Sequence, residues 1–277
     1  MRWPALNVSK PPDAATEPTR FAFGKNWQRF LKHVDEERIR TAEQSLRNML
    51  GLESLEGRSF LDAGCGSGLF SLAARRLGAS VHSFDYDAES VACTAELRRR
   101  YFPGDDNWIV AQGDVLDDAY VKSLGRFDVV YSWGVLHHTG RMWGGVEAVA
   151  SCVEPGGHLF IALYNDQGWI SGYWSWVKRV YNRGALFRAA VVAFHSPYLV
   201  GLRLIVRWGR GDFPLKRGMS LWHDLLDWLG GFPFETAKPK DVVAFARARG
   251  FAEKRVVTCG RRHGCNEFVF RREDAQP

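Results

Sequence analysis

The segment Phe60-Leu-Asp-Ala-Gly-Cys-Gly-Ser-Gly68 sets three glycines on alternate positions behind a carboxylate, Asp62. Glycine lets a backbone turn sharply and approach a ligand with no Cβ in the way. The apolar residues before the run read as a strand and those after it as a helix. The helix start offers N–H groups and positive dipole to an anionic group. A nicotinamide or flavin fingerprint, GxGxxG, needs glycine at position 69, where this chain has Leu69. No Gly-Lys-Ser/Thr follows, which disfavours a phosphate-binding P-loop. Asp62, two residues before the first glycine, suits a ligand carrying an ammonium group better than one carrying a pyrophosphate.

Asp62-x-Gly64-x-Gly66-x-Gly68 resembles motif I of the class I S-adenosylmethionine-dependent methyltransferases. Further features in the same order extend the resemblance over about residues 58 to 164. Asp85 ends the second strand, where the two oxygens of a carboxylate match the spacing of vicinal ribose hydroxyls. Gly113-Asp114-Val115 follows the third strand, where the family's Asp receives the adenine amino group. Phe127 to His138 looks like the fourth strand and the short helix after it, and Glu154-Pro-Gly-Gly157 like the turn into strand five. The resemblance implies S-adenosylmethionine as cofactor, held by Asp62, Gly64, Cys65, Gly66, Gly68, Asp85, Tyr86, Asp114, Val115 and Trp133. It also implies a leading lid, from which Trp27 and Arg29 approach the methionine end. An exposed amphipathic helix face is the other reading of those two.

A sulfonium already carries a good leaving group, so methyl transfer asks chiefly for alignment and exclusion of water. A base is needed only where the acceptor must lose a proton. His137 and His138 follow strand four and open on the crevice where open α/β sheets bind ligands. His138 is expected to touch the acceptor or shape its pocket; a histidine satisfied by backbone groups at a helix start is the alternative. Tyr164 is a further catalytic candidate, and Asn165, Trp169 and His223 are candidates for acceptor contact. His223 and Asp224 are helix neighbours that do not face each other, so no dyad is expected there.

These groups need a frame, and the chain reads as an α/β protein. Strands are predicted at 59–63, 80–84, 107–111, 127–132 and 157–163, with helices at 68–77, 87–100 and 141–152. Such alternation gives a doubly wound, Rossmann-like sheet, mostly parallel. A helix at 239–249 and strands at 251–258 and 265–271, joined by a turn from Gly260 to Gly264, complete it as an antiparallel edge hairpin. Asp35 is placed to cap a helix burying Ile39, Ala42, Leu46, Met49 and Leu50, and Gly51 to stop it. The organisation is therefore a mobile arm (1–20), a helical lid (21–57), the cofactor core (58–167), a helical insert (168–235) and the closing elements (236–277).

The 277 residues suffice for one large domain, and an apolar share of 46% excludes wholesale disorder. The five cysteines are an odd number without framework spacing, and the opening residues lack the apolar region of a secretory signal, so a reducing cytoplasm is expected. Cys259, His263 and Cys265 do not supply four zinc ligands, and no metal is expected. The net charge of +6 is concentrated between 168 and 217, where nine basic residues meet Asp212 alone. That insert is also aromatic, with an apolar run from Ala189 to Leu202 too short and broken to span a bilayer. Walls of an apolar or aromatic pocket for a small-molecule acceptor, with arginines for an anionic group on it, are the first reading. RNA or other nucleic-acid contact, and a membrane-surface protein with a non-catalytic fold docking through 178–217, are the alternatives. The sequence leaves the oligomeric state open.

Overall fold

The structure, a computed structural model, describes residues 31, 34–197, 229–260 and 264–274. The predicted arm, Trp27, Arg29, His223 and His263 lie outside them.

Helix α1 (Glu36–Leu50) forms where the sequence supplies both ends. The Asp35 side chain accepts from the Arg38 N–H, and Gly51, in the left-handed region at φ 68°, returns its N–H to Arg47 O. Its stripe of Ile39, Ala42, Leu46, Met49 and Leu50 is buried, as expected.

The order then runs β1 (Ser59–Ala63), α2 (Leu69–Arg76), β2 (Ser80–Asp85), α3 (Ala88–Tyr101), β3 (Trp108–Gln112), α4 (Asp118–Leu124), β4 (Phe127–Trp133), a 3-10 turn (Leu136–His138), α5 (Met142–Ser151) and β5 (Val153–Tyr164). The insert gives α6 (Trp169–Tyr181) and α7 (Ala185–Ser196), and the chain closes with α8 (Pro239–Arg247), β6 (Phe251–Val257) and β7 (Cys265–Arg272). The seven strands lie in the order β3-β2-β1-β4-β5-β7-β6. β1 to β5 pair parallel, and β7 runs antiparallel between β5 and β6. Two apolar layers sandwich the sheet. One holds Leu61, Phe84, Val130 and Ile161; the other holds Phe60, Val129, Tyr131 and Phe160 with α1 and α2.

Two expectations needed correction. A short helix, α4, joins β3 to β4 where none was predicted. Its seven residues are too few to show a helical period, and only Val121 and Leu124 turn inward. Strand β5 begins at Val153, ahead of the predicted 157, and the Glu154-Pro-Gly-Gly157 segment lies within it. A register shift opposite Phe127 and Val129 absorbs the irregularity.

Candidate functional site

The strand order reverses between β1 and β4, which puts a crevice at the carboxyl ends of these strands. The glycine turn sits there. Gly64 and Cys65 both donate N–H groups to Phe84 O, pinning the turn to β2. Gly64, Gly66 and Gly68 all have positive φ. A Cβ at Gly64 would stand 2.5 Å from the Val135 side chain, and one at Gly68 would stand 2.7 Å from Thr94 Oγ1. Glycine here is thus demanded by close packing of the chain against itself, as well as by any ligand.

Asp62 lies one residue before the end of β1 and is 2% exposed. A chain of buried hydrogen bonds fixes its carboxylate: Trp108 Nε1–H donates to Ser83 Oγ at 2.9 Å, Ser83 donates to Ser71 Oγ at 2.8 Å, and Ser71 donates to Asp62 Oδ2. Burial raises its pKa to about 7 against the lowering hydrogen bond of Ser71, and the charge of Asp85 adds to the rise. Asp85 accepts from the N–H groups of Gly66 and Asp87, both at 2.9 Å. Burial likewise lifts it, to about 6, against those backbone donors. Cys65 is buried, its sulfur accepting from Thr94 Oγ1 at 3.2 Å. Tyr86 is exposed just after β2. Asp114 accepts from the Leu116 N–H, and Val115 is buried in the core beside it. Trp133 ends β4, and its indole N–H is donated to Glu267 Oε1 on β7 at 2.8 Å.

Helix α2 starts without a side-chain cap, on Gly68, and has no acid in its first turn. Helices α1, α3 and α4 are capped by Asp35, Asp87 and Asp117. The residues present therefore fit S-adenosylmethionine: an uncapped helix start for a carboxylate, the buried Asp62 to meet an ammonium, and the half-buried Asp85 to accept from a pair of hydroxyls.

The second group of candidates lies past β4. His137 is fully buried, its Nδ1 accepting from the Tyr164 N–H at 3.3 Å and its ring 3.8 Å from the Tyr164 ring. Only Nδ1 is met by backbone, while the buried Nε2 has no hydrogen-bond partner among the described residues, and burial first, then the charges of His138 and Lys178, hold the ring neutral. His138 is partly exposed and donates Nδ1–H to Pro233 O at 2.7 Å, which leaves the lone pair on Nε2. Burial depresses its pKa to about 4, so it stays neutral at pH 7. Asn165 is spent on the fold: its amide donates to Gly260 O and its carbonyl oxygen accepts from Asn266. Trp169 is 80% exposed at the start of α6.

Several members of this second site escaped the sequence reading. Lys178, counted there among the charges of the insert, is fully buried on α6 with its Nζ 4.8 Å from the Phe234 ring centre. Phe234 in turn lies 5.1 Å from Tyr164. Burial lowers the Lys178 pKa to about 7. The signal was present, because Lys178 falls on the same helical stripe as Trp174, Val177 and Tyr181. Glu235 was also missed: its carboxylate accepts from the Met142 N–H and so caps α5 from a distant part of the chain.

A family model described as a methyltransferase domain matches residues 33–197, more than half of the chain. The chain belongs to the methyltransferase-domain family. Among curated relatives of this methyltransferase, the mitochondrial ubiquinone biosynthesis O-methyltransferase of Mus musculus is 33% identical over 111 residues, 40% of this chain and 30% of that protein. The ubiquinone biosynthesis O-methyltransferase of Cronobacter sakazakii is 32% identical over 111 residues, 40% of this chain and 44% of that protein. The chain therefore matches less than half the length of these relatives. Magnesium protoporphyrin IX methyltransferase from Synechocystis, solved with S-adenosylhomocysteine, superposes at a TM-score of 0.53 and 16% identity, over 90% of this chain and 94% of that one. An N-methyltransferase from Bradyrhizobium japonicum, also with S-adenosylhomocysteine, gives 0.51 at 15%, over 91% and 99%. At such identities the likeness establishes the fold, which is that of the class I enzymes.

Proposed function

We propose that this methyltransferase moves the methyl group of S-adenosylmethionine to a small-molecule acceptor that is apolar or aromatic. The observation that carries the reading is the glycine turn at the β1/β4 crevice, flanked by the buried Asp62 and the half-buried Asp85 and opening into the uncapped α2. The cofactor, when bound, supplies an electrophilic methyl on a sulfonium. In this proposal Asp62 receives the ammonium, Asp85 the ribose hydroxyls, Asp114 the adenine edge and the α2 start the carboxylate. The partial identity to ubiquinone-pathway O-methyltransferases supports a small acceptor.

For the acceptor, His138 offers a neutral imidazole that shapes the pocket and orients the acceptor, with Tyr164 and Phe234 as apolar walls. A reducing cytoplasm is the proposed setting, since Cys65, Cys93 and Cys152 are each buried as free thiols. Incubation with isotopically labelled S-adenosylmethionine and fractionated cell extract should label one small product. Absence of S-adenosylhomocysteine binding at millimolar concentration would overturn the reading. Labelling of RNA or protein in place of a small molecule would overturn its acceptor part.

A further inference from the structure

Helices α6 and α7 form an antiparallel hairpin whose outer side is the wrong kind of surface for water. Trp169, Trp176, Leu186 and Phe194 are 80%, 58%, 81% and 76% exposed, and Tyr173 and Phe187 are also open. Large apolar side chains exposed singly are ordinary, but a contiguous set marks an interaction site. On α6, Trp169, Tyr173 and Trp176 recur at helical spacing, with the Tyr173 and Trp176 rings 6.4 Å apart, and the buried His195, 6.1 Å from Tyr173 and 5.0 Å from Phe194, joins that side to α7. The hydrogen bond between Tyr173 Oη and His195 Nε2, at 2.8 Å, locks the two helices together behind this face. Helix α7 buries only Val191 and His195 and turns Leu186, Phe187, Ala189, Ala190, Ala193 and Phe194 outward. A helix that touches water on that side should be polar there.

The charge around the face has one sign. Arg179, Arg183 and Arg188 are exposed about the α6–α7 turn, and the sequence holds no acidic residue between Asp166 and Asp212. Aromatic side chains beside arginines, with no carboxylates, suit the headgroup layer of an anionic bilayer, where rings sit at the apolar boundary and guanidinium groups meet phosphate. A second copy of the chain fits worse: a two-fold contact sets the same patch against itself, and these arginines would meet with no acid to neutralise them. RNA fits worse too, because α7 offers aliphatic surface with Arg188 as its one base, where a nucleic acid needs a basic track. No helix among the described residues is long and apolar enough to cross a membrane, so the contact is with the surface.

We propose that the α6–α7 hairpin docks this enzyme on anionic lipid surfaces, independently of which acceptor it methylates. The test is sedimentation of the full chain with phosphatidylcholine vesicles, with and without phosphatidylserine. Binding is expected to the phosphatidylserine vesicles, to weaken with salt, and to shift tryptophan emission to the blue. Replacing Arg179 or Arg183 by Gln should lower the vesicle partition about fivefold each. The triple variant Trp176→Ser/Leu186→Ser/Phe194→Ser should lose it while retaining its melting temperature and S-adenosylhomocysteine affinity. Equal partition to both vesicle types overturns the proposal, as does unchanged binding by the triple variant. Failure to bind vesicles, combined with a dimer that the triple variant dissolves or RNA binding that it abolishes, assigns the face elsewhere. Failure to bind vesicles together with a lowered melting temperature of the triple variant places the face inside the protein's own fold, and overturns it as well.

Discussion

Gly64 is held at φ 84° with the Val135 side chain where a Cβ would stand, so both the backbone and the packing exclude any larger residue. Gly64→Ala should cost about 1–3 kcal/mol from the left-handed backbone alone, more with the displaced valine, read as a lowered urea midpoint. A loss of cofactor affinity without loss of stability would show that the glycine serves the ligand only. Asp62 makes a prediction of the opposite kind, about charge. Its carboxyl ionises near pH 7 in the free protein, and an ammonium bound against it requires the ionised form. Below that pH, binding must expel a proton, so S-adenosylhomocysteine affinity should fall by up to about tenfold per unit as the pH drops from about 7. Asp62→Asn should bind weakly at every pH and flatten that dependence; titration calorimetry reads both. The motif singled out these two residues as site candidates from sequence alone. It gave no hint of the relay from Trp108 through Ser83 and Ser71, because those residues meet only once β1, β2, β3 and α2 have packed.

Helix α6 carries a lysine on the stripe that it buries against the core. Trp174, Val177 and Tyr181 share its buried stripe with Lys178, and the lysine lies against Phe234, which the 233–237 segment holds beside Tyr164. That segment is itself sewn in, with Glu235 N–H donated to His137 O and Ala237 N–H to Tyr164 O. Burial sets the Lys178 pKa near 7 in the folded chain, against 10.5 for the free side chain. Between those values the unfolded state holds more protons, so stability should rise with pH over that window and fall as the pH drops toward 7. Lys178→Met removes the buried amine while keeping much of its length. The variant should lose the slope between about pH 7 and pH 10 in urea titrations. An unchanged slope in the variant would assign the titration to another group. The sequence marked this helix as basic and aromatic, and both traits are real. Which basic residue goes inside follows from position on the stripe, a signal that a charge count averages away.

At the scale of the molecule, the alternation of apolar strands with amphipathic helices was enough to specify the parallel sheet, and the residues from Phe251 to Arg272 its antiparallel edge. What periodicity did not reach was short or irregular: the seven residues of α4, and the start of β5 through Pro155 and Gly156. The same logic separates the cofactor site from the acceptor site. The first candidate site is made of neighbours in sequence at strand ends, whereas the proposed acceptor side gathers His138, Tyr164, Lys178 and Phe234 from four segments. A test of the whole assembly should therefore ask about the ligand that the legible half selects. Leu69 stands where a dinucleotide fingerprint needs its last glycine, and it packs against the core layer around α1 and α2. Ligand that binds only the folded state stabilises it by about 2.7 kcal/mol at a hundred times its Kd. Unfolding entropy near 2.1 cal/mol/K per residue over this chain converts that into a rise of about 5 °C in Tm. S-adenosylmethionine and S-adenosylhomocysteine should each produce such a rise in a thermal melt, and NAD at the same concentration should produce none. The Asp85→Asn variant should show a smaller rise, because an amide offers one acceptor oxygen where a carboxylate offers two. Equal stabilisation by NAD and by S-adenosylhomocysteine would mean that the turn recognises adenosine alone, and that the methionine end makes no differential contact with Asp62 or with the start of α2.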